Sequence, residues 1–339
     1  MEAKPIVVVV IGRNEGERLR RCLRSVAGEL PTAYVDSGST DDSVAFARGM
    51  GVTVLPLDMR IGFTAARARN VGWRHLVDEV ENVAFIQFVD GDCELDPDWL
   101  DKALSAMRAE PGLAAVFGRR RERFPEQSIY NRMCDDEWNV PVGIVAACGG
   151  DALFRVEALV AADGYSDDLI AGEEPDLCLR LRRLGWKIRR IDAEMTLHDA
   201  NILSFGSWWK RTKRAGFAYA AHVLRHGAGS DPQWRRQVNS ILLWGLVWPL
   251  GGIVLAALLS FVNLAAGAAM LGAVVGSYAL QVVRIAMRKR AAGEDRAFAF
   301  RYAALIMTGK FAEMTGVLRC WTSHALKRGD TLIEYKRPT

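Results

Sequence analysis

A marked excess of either charge is missing from this 339-residue chain: 44 Lys and Arg against 40 Asp and Glu leave a net charge of only +4. A balance that close removes the whole-chain electrostatic case for nucleic acid as a partner. Paired cysteines are missing too. Cys22, Cys93, Cys134, Cys148, Cys178 and Cys320 lie far apart, with no Cys-x-x-Cys spacing. That argues against a zinc ribbon or a disulfide framework and fits reduced thiols in a cytosolic compartment. Neither a Gly-x-Gly-x-x-Gly nor a Gly-x-x-x-x-Gly-Lys-Ser/Thr run follows the early strands, so dinucleotide and P-loop readings are disfavoured. The amino terminus lacks a secretory pattern, because residues 5–11 are short and run straight into Gly12-Arg13-Asn14-Glu15, and no signal peptide is expected. Charge, finally, is almost absent from residues 241–286, whereas residues 1–235 are mixed and read as globular.

What is present first is alternation. Residues 6–11 form a continuous β-branched run between Pro5 and Gly12, the pattern of a strand covered on both faces. Residues 15–26 then place Leu19, Cys22, Leu23 and Val26 at helical spacing. A strand at 33–35 leads to a helix beginning near Asp41, which Ser39 or Thr40 can cap. Strands at 52–55, 84–89 and 113–117 alternate with helices at 64–77 and 97–107. Strand and helix exchanging for more than a hundred residues predict a doubly wound α/β domain.

In such sheets ligands bind beyond the carboxyl ends of the strands. Three polar clusters fall there: Arg13-Asn14-Glu15, Asp36-Ser37-Gly38-Ser39 and Asp90-Gly91-Asp92. Two carboxylates leaving a buried strand are costly unless a cation neutralises them. The intervening glycine lets the chain turn so that both can approach one ligand, and hard oxygens suit Mg²⁺ or Mn²⁺ with positions left for phosphates.

These strings, with Ala66-Arg67-Ala68-Arg69-Asn70 and Gly172-Glu173-Glu174-Pro175-Asp176-Leu177, come in an order and spacing that resembles the family 2 glycosyltransferases over roughly residues 5–220. The resemblance implies a GT-A fold: a mixed α/β sheet with a Rossmann-like nucleotide-binding half. It further implies that Asp36 accepts a hydrogen bond from the donor's base, uracil being favoured, although a helix-entry turn would use the same residue. Arg69 and Asn70 would meet the donor diphosphate or steady the loop around it, with Arg67 a weaker candidate. Asp90 would contact the ribose or the metal, and Asp92 would ligate the metal. Glu173-Glu174 stands where the family carries Glu-Asp, which makes Glu174 the preferred general base and Glu173 the alternative; a base opposite the leaving group implies inversion. An acidic first helical turn would look the same. His198 lies where some members hold a metal or phosphate ligand, and a hydrogen-bonded structural histidine is the alternative. Gly149-Gly150-Asp151 resembles a loop beneath the acceptor, with Asp151 as its contact. Arg211 and Arg214, in a basic and aromatic segment that lacks the family's late Gln-x-x-Arg-Trp motif, would bind diphosphate or lie at lipid headgroups beside the tryptophans.

Residues 241–259 and 264–286 are each long enough to cross a bilayer, which takes roughly 20 residues. Arg235-Arg236 precedes them, and Arg284, Arg288, Lys289 and Arg290 follow. The positive-inside rule then predicts a two-span hairpin in the inner membrane with both ends cytoplasmic. Residues 297–321 are apolar but interrupted by Arg301, Lys310, Glu313 and Arg319, which predicts an interfacial or hairpin-packed helix before a basic cytoplasmic tail at Lys327, Arg328, Lys336 and Arg337. Three regions are thus expected: a glycosyltransferase domain over 1–235, a membrane hairpin over 236–290, and an interfacial helix and tail over 291–339. The expected activity is metal-dependent transfer of a sugar from a nucleotide diphosphate donor to a lipid-linked or saccharide acceptor at the cytoplasmic face, in envelope or exopolysaccharide assembly. Transfer to polyprenyl phosphate, or a silent membrane scaffold of the same fold, are the alternatives. A transporter is disfavoured, since the spans carry no charge away from Arg284 at the end of the second.

Overall fold

The computed structural model describes residues 6–326 apart from Ala27 and Glu29; the basic tail from Lys327 onward lies outside them. Two compact units result, one ending at Ile202 and the next beginning at Leu203.

The first unit opens β1 (Ile6–Gly12), α1 (Glu17–Val26), β2 (Thr32–Asp36), α2 (Ser43–Gly49), β3 (Thr53–Pro56), α3 (Ala65–Glu79) and β4 (Phe85–Asp90). It continues β5 (Cys93–Leu95), α4 (Trp99–Ala109), β6 (Leu113–Glu122), α5 (Ile129–Trp138), β7 (Gly143–Val145), β8 (Ala152–Arg155), α6 (Val156–Ala161), α7 (Glu173–Arg183) and β9 (Lys187–His198). The sheet runs β3-β2-β1-β4-β8-β6-β9-β5, with β7 beside β9. Its first four strands are parallel, as the uninterrupted Val7–Val10 run predicts, and all of β1 up to Val10 is buried. Beyond them β8 is antiparallel to both neighbours, which makes the sheet mixed. Gly12 pairs with Asp36 and Ile11 with Asp90, so the polar ends of β1, β2 and β4 do stand side by side.

The second unit is helical: α8 (Phe205–His226), α9 (Pro232–Leu242), α10 (Trp248–Val262), α11 (Leu264–Ala291) and α12 (Arg296–Ala325). A π-helical turn at Leu243–Val247 joins α9 to α10 in one continuous helix. The division at residues 202 and 203 differs from the expected boundary at 235, because α8 packs on α9 and α12. Gly216 faces the backbone of Glu313 and Gly316 that of Lys213, a close helix approach that only small residues allow. Pro232–Val262 and Leu264–Ala291 are each long and apolar enough to cross a membrane. Only 17% and 11% of their most apolar 18-residue stretches is buried, so they are not the core helices of a soluble unit. Asn263 breaks the helix between them and caps the next, its side chain accepting from the Ala265 and Ala266 amides.

Candidate active site

β4 delivers Asp90 and, one turn later, Asp92, but the structure sends the two carboxylates apart. Asp90 accepts from Arg69 Nη2 at 2.9 Å and Arg120 Nη2 at 3.2 Å. Arg120 also reaches Asp151 (3.3 Å) and Cys93 Sγ (3.1 Å), and its guanidinium lies over the Trp138 ring at 4.9 Å. The Asp90–Cys93–Asp151 group is therefore neutralised by an arginine. Asp90, expected to contact the ribose or the metal, thus faces two guanidiniums. Gly91 leaves room for the Ile11 carbonyl, which accepts from the Gly91 amide at 2.8 Å.

Asp92 instead faces β9. Its Oδ2 lies 3.3 Å from His198 Nε2, and Asp92, Cys93 and His198 bring three ligand atoms within 4.8 Å of one another. The Asp92 carbonyl accepts from the Asp199 amide at 3.1 Å, which sets that spacing through the backbone. Burial and the Arg120 charge lower the His198 pKa below its ordinary value. A carboxylate oxygen and a neutral imidazole nitrogen suit Mn²⁺ or Mg²⁺. Neighbouring ligands of an octahedral ion with bonds of about 2.1 Å lie about 3 Å apart, close to the separation seen. The pair fits such an ion, which would keep most of its positions for water and phosphate.

Arg69 is the hub. Its side chain is 2% exposed, and besides Asp90 it contacts Glu173 Oε1 and Glu174 Oε1, each at 3.2 Å. Gly150 makes this possible, since a Cβ there would collide with the Arg69 guanidinium and stand 2.9 Å from Asp90. Glu173 and Glu174 open α7, where the helix dipole favours negative charge. Of the two, Glu173 is 5% exposed and Glu174 18%. Desolvation, with the Glu173 and Asp90 charges and against Arg69, raises the Glu174 pKa to about 7.

Several predicted contacts turn inward. Asp36 accepts from Tyr34 Oη (3.0 Å) and from the Gly38 and Ser39 amides, and so holds the turn after β2. Asn70 is saturated: it donates to Tyr165 O and Asp167 Oδ1, both at 2.7 Å, and accepts from Trp73 Nε1 and the Tyr165 amide. Arg67 donates to the carbonyls of Ile61 and Gly62. Asp151 is fully buried, accepting from the Asp90 amide (2.8 Å) and Thr196 Oγ1 (3.0 Å). It fixes the end of β4 from the interior of the protein. Arg211 and Arg214 belong to α8 in the second unit.

Arg120, Glu122 and Trp138 escape sequence reasoning. Their only signal is Arg119-Arg120-Arg121-Glu122 following the apolar run from Leu113 to Phe117, where charge continues a buried strand.

With the geometry in place, residues 7–159 match the family described as Glycosyl transferase family 2. Over that stretch the chain is similar to the family 2 glycosyltransferases. Among curated proteins, Glucomannan 4-beta-mannosyltransferase 7 from Arabidopsis thaliana is 28% identical over 155 residues, 42% of this chain and 27% of that one. The chain thus spans about a quarter of the length of this relative. Among solved structures, a mannosyltransferase from Pyrobaculum calidifontis in complex with GDP-Man and Mn²⁺ superposes with a TM-score of 0.59 at 18% identity. The superposition covers 93% of this chain and 87% of the other, and it agrees with a GT-A fold.

Proposed function

We propose that this protein transfers a sugar, with inversion, from a nucleotide diphosphate donor to a lipid-linked or saccharide acceptor at the cytoplasmic membrane face. The observation that carries this reading is the Arg69 hub, which ties Asp90, at the strand end beside Asp92, to the Glu173–Glu174 pair at the start of α7. Glu173 is buried against Arg69 and raises the proton affinity of its neighbour. Glu174, less buried and with a pKa near neutrality, takes the proton of an acceptor hydroxyl. Asp92 and His198 would hold a divalent cation, whose chemistry is charge balance for the departing nucleoside diphosphate. Arg211 and Arg214 are proposed to bind phosphate, of the donor or of a lipid. The two apolar helices anchor the chain beside a lipid-borne acceptor and so raise its effective concentration.

The relatives' names put GDP-mannose beside UDP-sugars as donors to try. The test uses the full-length chain in detergent or nanodiscs with Mn²⁺, a nucleotide-sugar panel and a polyprenyl-linked acceptor. Release of nucleoside diphosphate and an inverted anomeric product are expected, both lost in Glu174→Gln. Absence of any response across the panel, with no binding of a nucleoside diphosphate, sinks the enzyme reading. Retained activity in Glu174→Gln points to a phosphate nucleophile instead.

A further inference from the structure

The helices α11 and α12 meet in a basic junction that the chemistry above leaves unused. Six cationic side chains, Arg284, Arg288, Lys289, Arg290, Arg296 and Arg301, stand there against two carboxylates, Glu294 and Asp295. All five arginines are exposed. Packing fixes the junction beneath them. Ala286 of α11 is buried with Ala299 and Ala303 of α12, and Phe300 packs against this group. The Lys289 ammonium lies over the Tyr302 ring at 4.5 Å, and Arg290 Nη1 donates to the Glu294 carbonyl at 3.0 Å. The Asp295 carboxylate caps α12, accepting from the Phe298 amide at 2.9 Å. Arg296, Ala297 and Phe300 line an open cleft at the start of that helix.

Helix electrostatics account for only part of this charge. A cation in the last turn of a helix is favoured, which covers Arg288, Lys289 and Arg290 of α11. Arg296 instead opens α12, where the positive helix end disfavours it, and Arg284 and Arg301 lie beyond the terminal turns. Like charges gathered this closely repel, and an anion bound among them removes that cost. The outward face of α11 shows which anion. Leu280, Val283 and Met287 are exposed apolar residues, and Arg284 and Arg288 share their face at helical spacing. An apolar stripe that ends in guanidiniums matches acyl chains that end in a phosphate, at the end of a helix long enough to cross a bilayer. We propose that the junction of α11 and α12 binds the headgroup phosphates of anionic phospholipids, whose acyl chains lie along the exposed face of α11. The proposal rests on the membrane-anchored reading above, and it adds a lipid that is neither donor nor acceptor.

Spin-labelled phospholipids in bilayers reconstituted with the full-length chain test this without any donor or turnover, through the motionally restricted fraction of each label. Labelled phosphatidylglycerol should associate about fivefold more strongly than labelled phosphatidylcholine at low salt. High salt should shrink that preference. Arg288→Gln combined with Arg296→Gln should bring it close to one. Arg235→Gln combined with Arg236→Gln removes equal charge from exposed positions on α9 and should leave it intact. Both double variants change surface side chains only, and their melting curves should match that of the unmutated chain. Equal association of the two lipids with unmutated protein overturns the proposal and leaves the glycosyltransferase reading standing. An equal loss in the two double variants also overturns it, since surface charge in general then suffices. Displacement of labelled phosphatidylglycerol by an equimolar polyprenyl phosphate assigns the site to the acceptor and overturns it too. If the chain does not enter bilayers, the membrane reading fails and the proposal with it, whatever the donor panel shows.

Discussion

Glu174 carries the sharpest consequence of single-residue chemistry. As a base it must be ionised, and its pKa stands at about 7 against an ordinary 4.5. The kcat/KM of the proposed reaction should therefore rise with pH across an acid limb centred near 7, and Glu174→Gln should lower kcat by about 10²- to 10⁴-fold. Stability runs the other way. A carboxyl with a raised folded pKa contributes fully below its ordinary value, and that contribution is lost as pH rises through 7. Glu174→Gln should thus be more stable than the unmutated protein at about pH 8 and indistinguishable at about pH 4.5 by thermal melting, the offset growing between those values. Arg69 shows the opposite dependence on a partner. Replacing it with Met strands Asp90, Glu173 and Glu174 around a buried gap. The expected cost is about 3–5 kcal/mol, read from denaturant unfolding, because breaking a buried charge group is worse than never having had it. Asp92→Asn should leave the melting temperature nearly intact while lowering Mn²⁺ affinity at least about tenfold, since it removes a hard oxygen ligand.

Apart from the three-residue β5, the strands and helices of the first unit up to β6 were legible in the sequence, because β-branched runs and helical spacing report the burial that forms them. The site was legible in part. Arg69, Asp90, Asp92, Glu173, Glu174 and His198 do gather, yet their pairings could not be read, since Arg120 arrives from a strand whose arginines look like a solvated run. Asp36, Asn70 and Asp151, where donor and acceptor contacts are expected, also make hydrogen bonds inside the protein that the sequence does not show. The loop between β7 and β8 gives a prediction of its own. Gly150→Ala pushes a methyl into the Arg69 guanidinium, which has no free direction to move among three carboxylates. A loss of about 1–3 kcal/mol is expected from such overpacking. A drop in activity should accompany it, and Gly149→Ala, whose Cβ would find only Arg120 at 3.8 Å, should be tolerated in the same assays.

For the molecule as a whole, the two long apolar helices give the predictions that test membrane association. Phe261 and Val262 are 88% and 90% exposed at the turn between α10 and α11, an apolar tip that water would not tolerate. The protein should stay in the membrane pellet through alkaline carbonate and leave it only with detergent. A cysteine placed at Asn263 should label from the side opposite the catalytic unit, against a low background because all six native cysteines are buried. By itself the sequence determined the α/β alternation, the polar edge of the sheet and the two apolar helices, for each of these is a local pattern of burial and exposure along the chain. Only the tertiary structure decided which charges meet. Asp90 goes to Arg69 and Arg120; and because β9 lies between β5 and β6, His198 comes within a few ångströms of both Asp92 and Glu122, each over seventy positions away from it.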